Sequence, residues 1–307
     1  MTHADNVRAA LERLLPLDPP DLLVVQGDTS SALGGALAAR ALGISLAHVE
    51  AGLRTHDPTQ PWPEEENRVT IDRLSDLLFA PTSANAANLR GENVHGLVHV
   101  TGNSGIDALV ALVGPLPLKP DRPWWPKRHS TMLVTCHRRE NWGVGLERLA
   151  EALITLSGMR VQSDVLLPPN AAITERLIGL LGHHPGIRLV APLSHEATID
   201  AMRRADLILS DSGGMQEEAP ALGVPLLVLR DKTERPEAIA SGSIELVGTN
   251  PDRIIAAVER LRHDRGVQKA MTTPALPFGN GRSAPRIAAH CLAFLDDQAT
   301  ARQSGRA

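Results

Sequence analysis

Four short polar segments hold the side chains best suited to chemistry. The stretch SDSGGMQEE, Ser210 to Glu218, reads as a strand end, a glycine turn and a helix start. Such a turn lets the backbone N–H groups of Ser212, Gly213 and Gly214 approach an anion, and the helix terminus adds partial positive charge. Glu217 and Glu218, one turn further on, suit the paired hydroxyls of a ribose. In HVEAGLRTHDPTQPWPEEENR, His48 to Arg68, Glu50 ends a strand and a polar, Pro-rich loop then carries Arg54, Glu64, Glu65 and Arg68. Carboxylates set close together raise one another's pKa, which is how an acid and a base coexist in one site. QGDTS places Asp28 at another strand end, and CHRREN places Arg138 and Arg139 where either could meet a phosphate.

Each segment also has a plainer reading. These are a glycine turn before an acid-rich helix, a solvated loop of paired charges, a helix N-cap at Asp28 and a capped loop at Arg138. No spacing recommends a metal: His183 and His184 are adjacent, HExxH is missing, and Cys136 and Cys291 are too far apart for a CxxC pair.

These segments sit at the ends of short, continuous apolar runs. Asp21–Gln26, Ile44–Val49, Leu77–Ala80 and Val98–Val100 read as strands in the first half. Met132–Cys136, Asp164–Leu167, Arg188–Ala191, Asp206–Ser210, Pro225–Leu229 and Ile244–Val247 do so in the second. Helical patterns such as Ser30–Leu42, Leu146–Leu156, Ala172–Leu181, Ala197–Arg204 and Arg253–Arg262 lie between them. Continuous rather than alternating apolar runs mean burial on both faces, the mark of a parallel sheet covered by helices. The expected class is α/β, doubly wound, in which ligands lie at the C-terminal ends of strands. Five prolines between Val113 and Arg128 interrupt any element. We therefore expect a first domain over 1–118, a linker over 119–128, a second domain over 129–282 and a C-terminal helix and tail over 283–307. The first domain opens on a helix and has four strand candidates against six in the second, so it lacks the opening strand-helix units of its class.

Composition bounds the function. A chain of 307 residues has material for about two domains. A net charge of −4 excludes the basic balance of a dedicated nucleic-acid binder. Three Phe, four Trp and no Tyr leave the interior to Leu, Val, Ile and Ala, and leave proton transfer to carboxylates, histidines and lysines. Two distant cysteines fit a reducing compartment. Met1 to Leu15 reads as an amphipathic helix rather than a secretory signal, and no apolar run reaches the roughly 18 residues of a membrane span. The expectation is a cytoplasmic protein with neither membrane nor nucleic acid as partner.

In order and spacing, QGDTSSALGGALAA, HVEAGLRT, PWPEEENR, FAPT, VTGNSGIDAL, VTCHRRENWG, DSGGMQEEAP, GVPLLVLRDKTERPE and PFGNG resemble the non-hydrolysing UDP-N-acetylglucosamine 2-epimerases. The resemblance runs from about Asp21 to the last helix. It implies two Rossmann-like domains of the glycosyltransferase-B type, the C-terminal helix packing back on the first. It also implies a homodimer that interconverts UDP-GlcNAc and UDP-ManNAc for surface-polysaccharide precursors. In that family the C2 proton and UDP are lost to give 2-acetamidoglucal, and UDP then adds back; no metal or other cofactor is implied. Matched by motif, Asp28, Glu50 and Glu64 fall on the acidic positions associated with catalysis, and Arg68 on the arginine that organises them or the phosphate. Ser212, Gly213 and Gly214 would cradle pyrophosphate, Glu218 would hold the ribose, and Arg138 and Arg230 would support the nucleotide.

Two departures limit this transfer. The family opens with a strand, a GTRPE-type turn and a lysine-bearing helix that this sequence lacks, a deficit of about 60–70 residues, or two βαβ units. A misplaced start codon or a truncated gene is the expectation, with no turnover from the 307-residue form. In VLLPPNAAITE, Pro168 stands where the family has the histidine of PVHxNP, and proline can neither exchange a proton nor donate to phosphate. Phe278 and Asn280 also replace a family Tyr and Asp. The alternatives are an inactive nucleotide-sugar-binding relative and a hydrolysing epimerase.

Overall fold

The structure, a computed structural model, describes residues 2–116 and 130–303, so the linker expected at 119–128 lies outside the described residues. The chain divides into two units, Met1–Ala108 with Phe278–Ala307, and Leu109–Pro277.

The first unit runs through α1 (His3–Leu14), β1 (Leu22–Gln26), α2 (Ser30–Leu42), β2 (Ser45–Val49), α3 (Glu64–Leu74), β3 (Leu77–Ala80), α4 (Ser83–Gly91) and β4 (Leu97–Val100) to the start of α5 (Ser104–Val113). The four strands are parallel and adjacent in chain order. Helices bury both faces. Val25 and Leu46 pack with Ala32, Ala36 and Ala39 of α2, while Ala47, Val49, Leu77 and Phe79 meet Ile287, Cys291 and Phe294 of the C-terminal helix. The alanine-rich face of α2 allows close approach: a Cβ on Gly34 would stand 2.6 Å from the Ala4 carbonyl oxygen of α1. Thr29 caps the start of α2 through the Ala32 N–H, and Gly43, in the left-handed conformation, ends it. β1 forms one edge of this sheet, where Val24 is half exposed.

The second unit takes in β5 (Ser130–Thr135), α6 (Val144–Gly158), β6 (Val161–Leu166), α7 (Ala171–Leu181), β7 (Ile187–Val190), α8 (His195–Arg204) and β8 (Leu207–Ser210). It continues with α9 (Gly213–Leu222), β9 (Leu226–Val228), α10 (Pro236–Ala240), β10 (Ile244–Leu246), α11 (Pro251–His263) and α12 (Arg265–Thr272). The last helix, α13 (Ser283–Gln303), belongs to the first unit, where the Asp107 carboxylate accepts its Ser283 and Ala284 N–H groups at 2.9 and 2.7 Å. The six parallel strands lie in the order β10-β9-β8-β5-β6-β7. Chain order reverses between β5 and β8, so this is the switch point at which doubly wound sheets open a crevice. Leu149, Leu153 and Leu156 of α6 pack with Met132, Val134, Leu209, Val258 and Leu261 beneath it. Each such fully buried side chain contributes ~1.5–3 kcal/mol.

The α/β doubly wound class and the four-plus-six strand division read from sequence are those of the structure. Among the described residues no helix is long and apolar enough to cross a membrane.

Candidate active site

In the first unit the candidate acids gather at the C-terminal ends of β1 and β2. β1 stops at Gly27, whose φ of 70° favours glycine, and Asp28 follows. β2 runs straight into Glu50, which holds a φ of 75° that a side chain adopts only at a cost. Its carboxylate lies over Gly27: a Cβ there would be 3.4 Å from Glu50 Oε2. Such an outlier on a polar residue at a strand end points to a constraint other than packing.

Arg68, on the second turn of α3, ties this cluster together. It donates through Nε to Asp28 Oδ2 at 3.1 Å, with Nη2 on the same oxygen, and through Nη1 to Glu65 Oε2 at 2.9 Å. Asn67 holds the Asp28 carbonyl through Nδ2 at 2.8 Å. Glu65 is buried and accepts the N–H groups of Thr55 and His56 at 2.9 and 3.0 Å, so it shapes the loop. Glu64, at the first position of α3 and half buried, takes no hydrogen bond or ion pair from the described residues. Of the three consecutive carboxylates Glu64–Glu66, the structure anchors Glu65 and leaves Glu64 open.

Behind these residues lies a charge network with no signal in the local sequence. The fully buried His48 stands 2.6 Å from Asp72 Oδ1 through Nδ1 and 3.0 Å from the Gly27 carbonyl through Nε2. Asp72 Oδ2 accepts from Gly52 N at 3.2 Å and from Arg54 Nη2 at 2.7 Å. Arg54 also binds Glu92, at 2.7 Å through Nε and 2.8 Å through Nη2. Burial would push the Asp72 carboxyl up, but the hydrogen bonds and charges of His48 and Arg54 outweigh it and hold the group below its ordinary 3.8.

In the second unit the glycine turn lies at the switch point. Thr135 Oγ1 and Ser210 Oγ, at the ends of β5 and β8, are 2.6 Å apart. The buried Asp211 accepts Arg138 N at 2.9 Å and Asn141 Nδ2 at 2.9 Å, while His137 Nδ1 lies 3.1 Å from it, so the CHRREN loop is clamped to this turn. Ser212 is the N-cap of α9, and Gly213 and Gly214 begin the helix. A Cβ on Gly213 would stand 2.9 Å from Arg235 Nη1, so only glycine leaves room for that guanidinium.

Arg235 in turn donates through Nε to Glu217 Oε1 at 2.6 Å and pairs through Nη1 with Glu234. Glu217 is thereby committed to the interior, although its place in the sequence suits ribose equally well. Glu218 points elsewhere, with Oε1 at 2.8 Å from His195 Nε2 at the start of α8. Burial raises its pKa above the ordinary 4.5, against the hydrogen bond and charge of His195. Arg230 is buried and pairs through Nη1 with Glu234 at 2.9 Å, and Arg138 Nη2 reaches the same carboxylate at 3.8 Å. Pro168 follows β6, and its carbonyl accepts the Thr174 hydroxyl at 2.8 Å. Phe278 is buried with its carbonyl on Asn103 N at 2.8 Å, and Asn280 accepts from Arg286 at 3.1 Å.

Sequence reasoning passed over His48, Asp72, Asn67, His195, Asp211 and Arg235. Asp211 and Arg235 sit inside recognisable segments and could have been singled out there; His48, Asp72 and His195 gain their roles only from partners at least 18 residues away.

The family described as UDP-N-acetylglucosamine 2-epimerase matches residues 3–292. The UDP-N-acetylglucosamine 2-epimerase of Salmonella typhimurium is 40% identical over 293 residues, which cover 92% of this chain and 78% of that protein. A crystal structure of UDP-GlcNAc 2-epimerase from Neisseria meningitidis bound to UDP-GlcNAc superposes with a TM-score of 0.88 at 35% identity, covering 94% of this chain and 81% of that one. The Methanocaldococcus jannaschii UDP-GlcNAc 2-epimerase, in complex with UDP-GlcNAc and UDP, gives 0.81 at 32% identity, covering 95% and 80%.

Proposed function

This chain belongs to the UDP-N-acetylglucosamine 2-epimerase family, and from that membership we propose that it interconverts UDP-GlcNAc and UDP-ManNAc. The observation that carries the reading is the gathering of Asp28, Glu50 and Arg68 at two adjacent strand ends, because exchange of a C2 proton needs positioned acid and base groups. Asp28 and Glu50 move that proton, with Glu64 as the third carboxylate. Arg68 fixes the orientation of Asp28.

In the first half-reaction the C2–H bond breaks, its electron pair forms the C1–C2 double bond, and the C1–O bond to UDP breaks with both electrons leaving on phosphate. The return adds UDP to C1 and a proton to the opposite face of C2. The Gly213–Gly214 turn and the α9 terminus meet the pyrophosphate, where N–H groups stabilise the growing negative charge. Arg138 and Arg230 add positive charge to the nucleotide site, and the Glu218 carboxylate accepts the ribose hydroxyls. The product is a precursor for surface polysaccharide, made by a cytoplasmic homodimer.

The test follows UDP-GlcNAc by proton NMR on the 307-residue protein. Appearance of UDP-ManNAc supports the proposal. Release of free ManNAc and UDP would replace it with the hydrolysing reaction, and binding of UDP without any turnover with a nucleotide-sugar-binding role, the outcome that Pro168 in place of a histidine favours.

A further inference from the structure

We propose that His48 and Asp72 form a positioning pair that fixes the backbone on both sides of the reacting carboxylates; the inference rests on the epimerase reading above. The pair acts at two points. His48 Nε2 faces the carbonyl of Gly27, the residue before Asp28, at 3.0 Å. Asp72 Oδ2 accepts the N–H of Gly52, two residues after Glu50, at 3.2 Å. A single buried carboxylate thus links the two strand ends that carry Asp28 and Glu50, because its other oxygen holds His48 Nδ1 at 2.6 Å.

The ring has no freedom in this arrangement. A carbonyl oxygen and an ionised carboxylate can only accept, so the His48 ring serves as the donor that bridges them. Arg54, paired with Asp72 at 2.7 Å and with Glu92, locks the carboxylate from the far side.

Stability alone does not account for the pair. Replacing a buried ion pair by apolar side chains of similar volume is often neutral or stabilising, so packing would be served as well by leucine. What leucine cannot supply is a donor to Gly27. The pair holds Gly27 and Gly52, and both Gly27 and Glu50, two residues before Gly52, have left-handed φ values, 70° and 75°. Such a conformation on a residue with a side chain persists only where its surroundings over-determine it. His48 and Asp72 are fully buried and so are positioning rather than catalytic residues.

The test uses His48→Leu, His48→Gln and Asp72→Asn in the full chain, with kcat, KM, UDP affinity and melting temperature measured for each. A displacement of about 1 Å at a reacting group costs on the order of 10²-fold, which is the expected loss of kcat in His48→Leu. KM and UDP affinity stay unchanged, and His48→Gln, which keeps a donor for the Gly27 carbonyl, recovers most of the loss. A leucine variant with parental kcat in its folded fraction, however low its melting temperature, overturns the proposal. If the leucine variant does not fold, Asp72→Asn decides by the same criterion. A parent chain without turnover would overturn the epimerase reading instead. The Arg68 Nε–H resonance, hydrogen-bonded to Asp28, then decides: it shifts in His48→Leu and Asp72→Asn if the pair positions Asp28, and an unmoved resonance overturns it.

Discussion

Arg68 grips Asp28 by one carboxylate oxygen: Nε, at 3.1 Å, and Nη2 both point at Oδ2, while Oδ1 takes no hydrogen bond from the described residues. The guanidinium is then completed by Glu65, so Asp28 is held in orientation with its second oxygen open. A proton exchanged by Asp28 therefore travels through Oδ1. Given the proposed role of Asp28 in proton exchange, Asp28→Asn keeps the shape and removes the exchanging group, and kcat should fall by about 10²–10⁴-fold with UDP affinity unchanged. Glu50→Gln should behave alike. Steady-state NMR assays check both, and a fully active variant removes that residue from the mechanism.

Glu50 stores backbone strain in its φ of 75°. Glycine relieves it, so Glu50→Gly should raise stability by about 1 kcal/mol in urea unfolding while turnover is lost. A destabilised glycine variant would mean that the side chain, rather than its carboxylate chemistry, holds the turn.

Arg235 fills the space that Gly213 leaves and neutralises Glu217. Burial pushes the Glu217 carboxyl up, and Arg235 opposes it. Arg235→Met leaves that carboxylate without its principal partner, which should cost about 3–5 kcal/mol by chemical denaturation. Adding Glu217→Gln should restore part of this. If the double variant is no more stable than the single one, the pair is not the unit of stability.

The Glu218 carboxyl is raised above 4.5 by burial, with His195 opposing. In its proposed role at the ribose, Glu218 accepts from the hydroxyls in its ionised form, so UDP affinity should decline as pH falls, beginning above 4.5. His195→Leu removes the opposing hydrogen bond and charge and should move the decline to higher pH, whereas Glu218→Gln should remove it. Calorimetric titration with UDP between neutral and acid pH separates the three proteins, and matching pH profiles would exclude Glu218 from the ribose site.

Asp72 and Asp211 have folded-state pKa values below the ordinary 3.8, because hydrogen bonds and neighbouring cations outweigh their burial. The unfolded chain therefore binds protons that the folded one refuses. Their contribution to stability is fully present above 3.8 and is lost as pH falls below it through the depressed values. Asp211→Asn should unfold more easily at neutral pH yet lose less on acidification. An acid limb as steep as the parent's would contradict this.

Much of the protein follows from its sequence alone. Apolar runs such as Leu77–Ala80 and Leu207–Ser210 form buried parallel strands because nothing polar interrupts them, and Ser210–Gly214 forms a turn because two glycines follow a strand. What a spacing could not supply was the partner of each charge. Glu64 and Glu65 are neighbours of one type, and only the placing of α3 against the Thr55–His56 loop decides that the second is clamped and the first left open. Glu217 and Glu218 divide in the same way, one toward Arg235 and the other toward His195. His48 reads as one more member of a strand until the β1–β2 register sets it beneath Gly27 and α3 brings Asp72 to its other side. Local periodicity selects the elements because it depends on neighbours a few residues apart. A buried ion pair is selected by which elements the sheet makes adjacent, and that is a property of the fold.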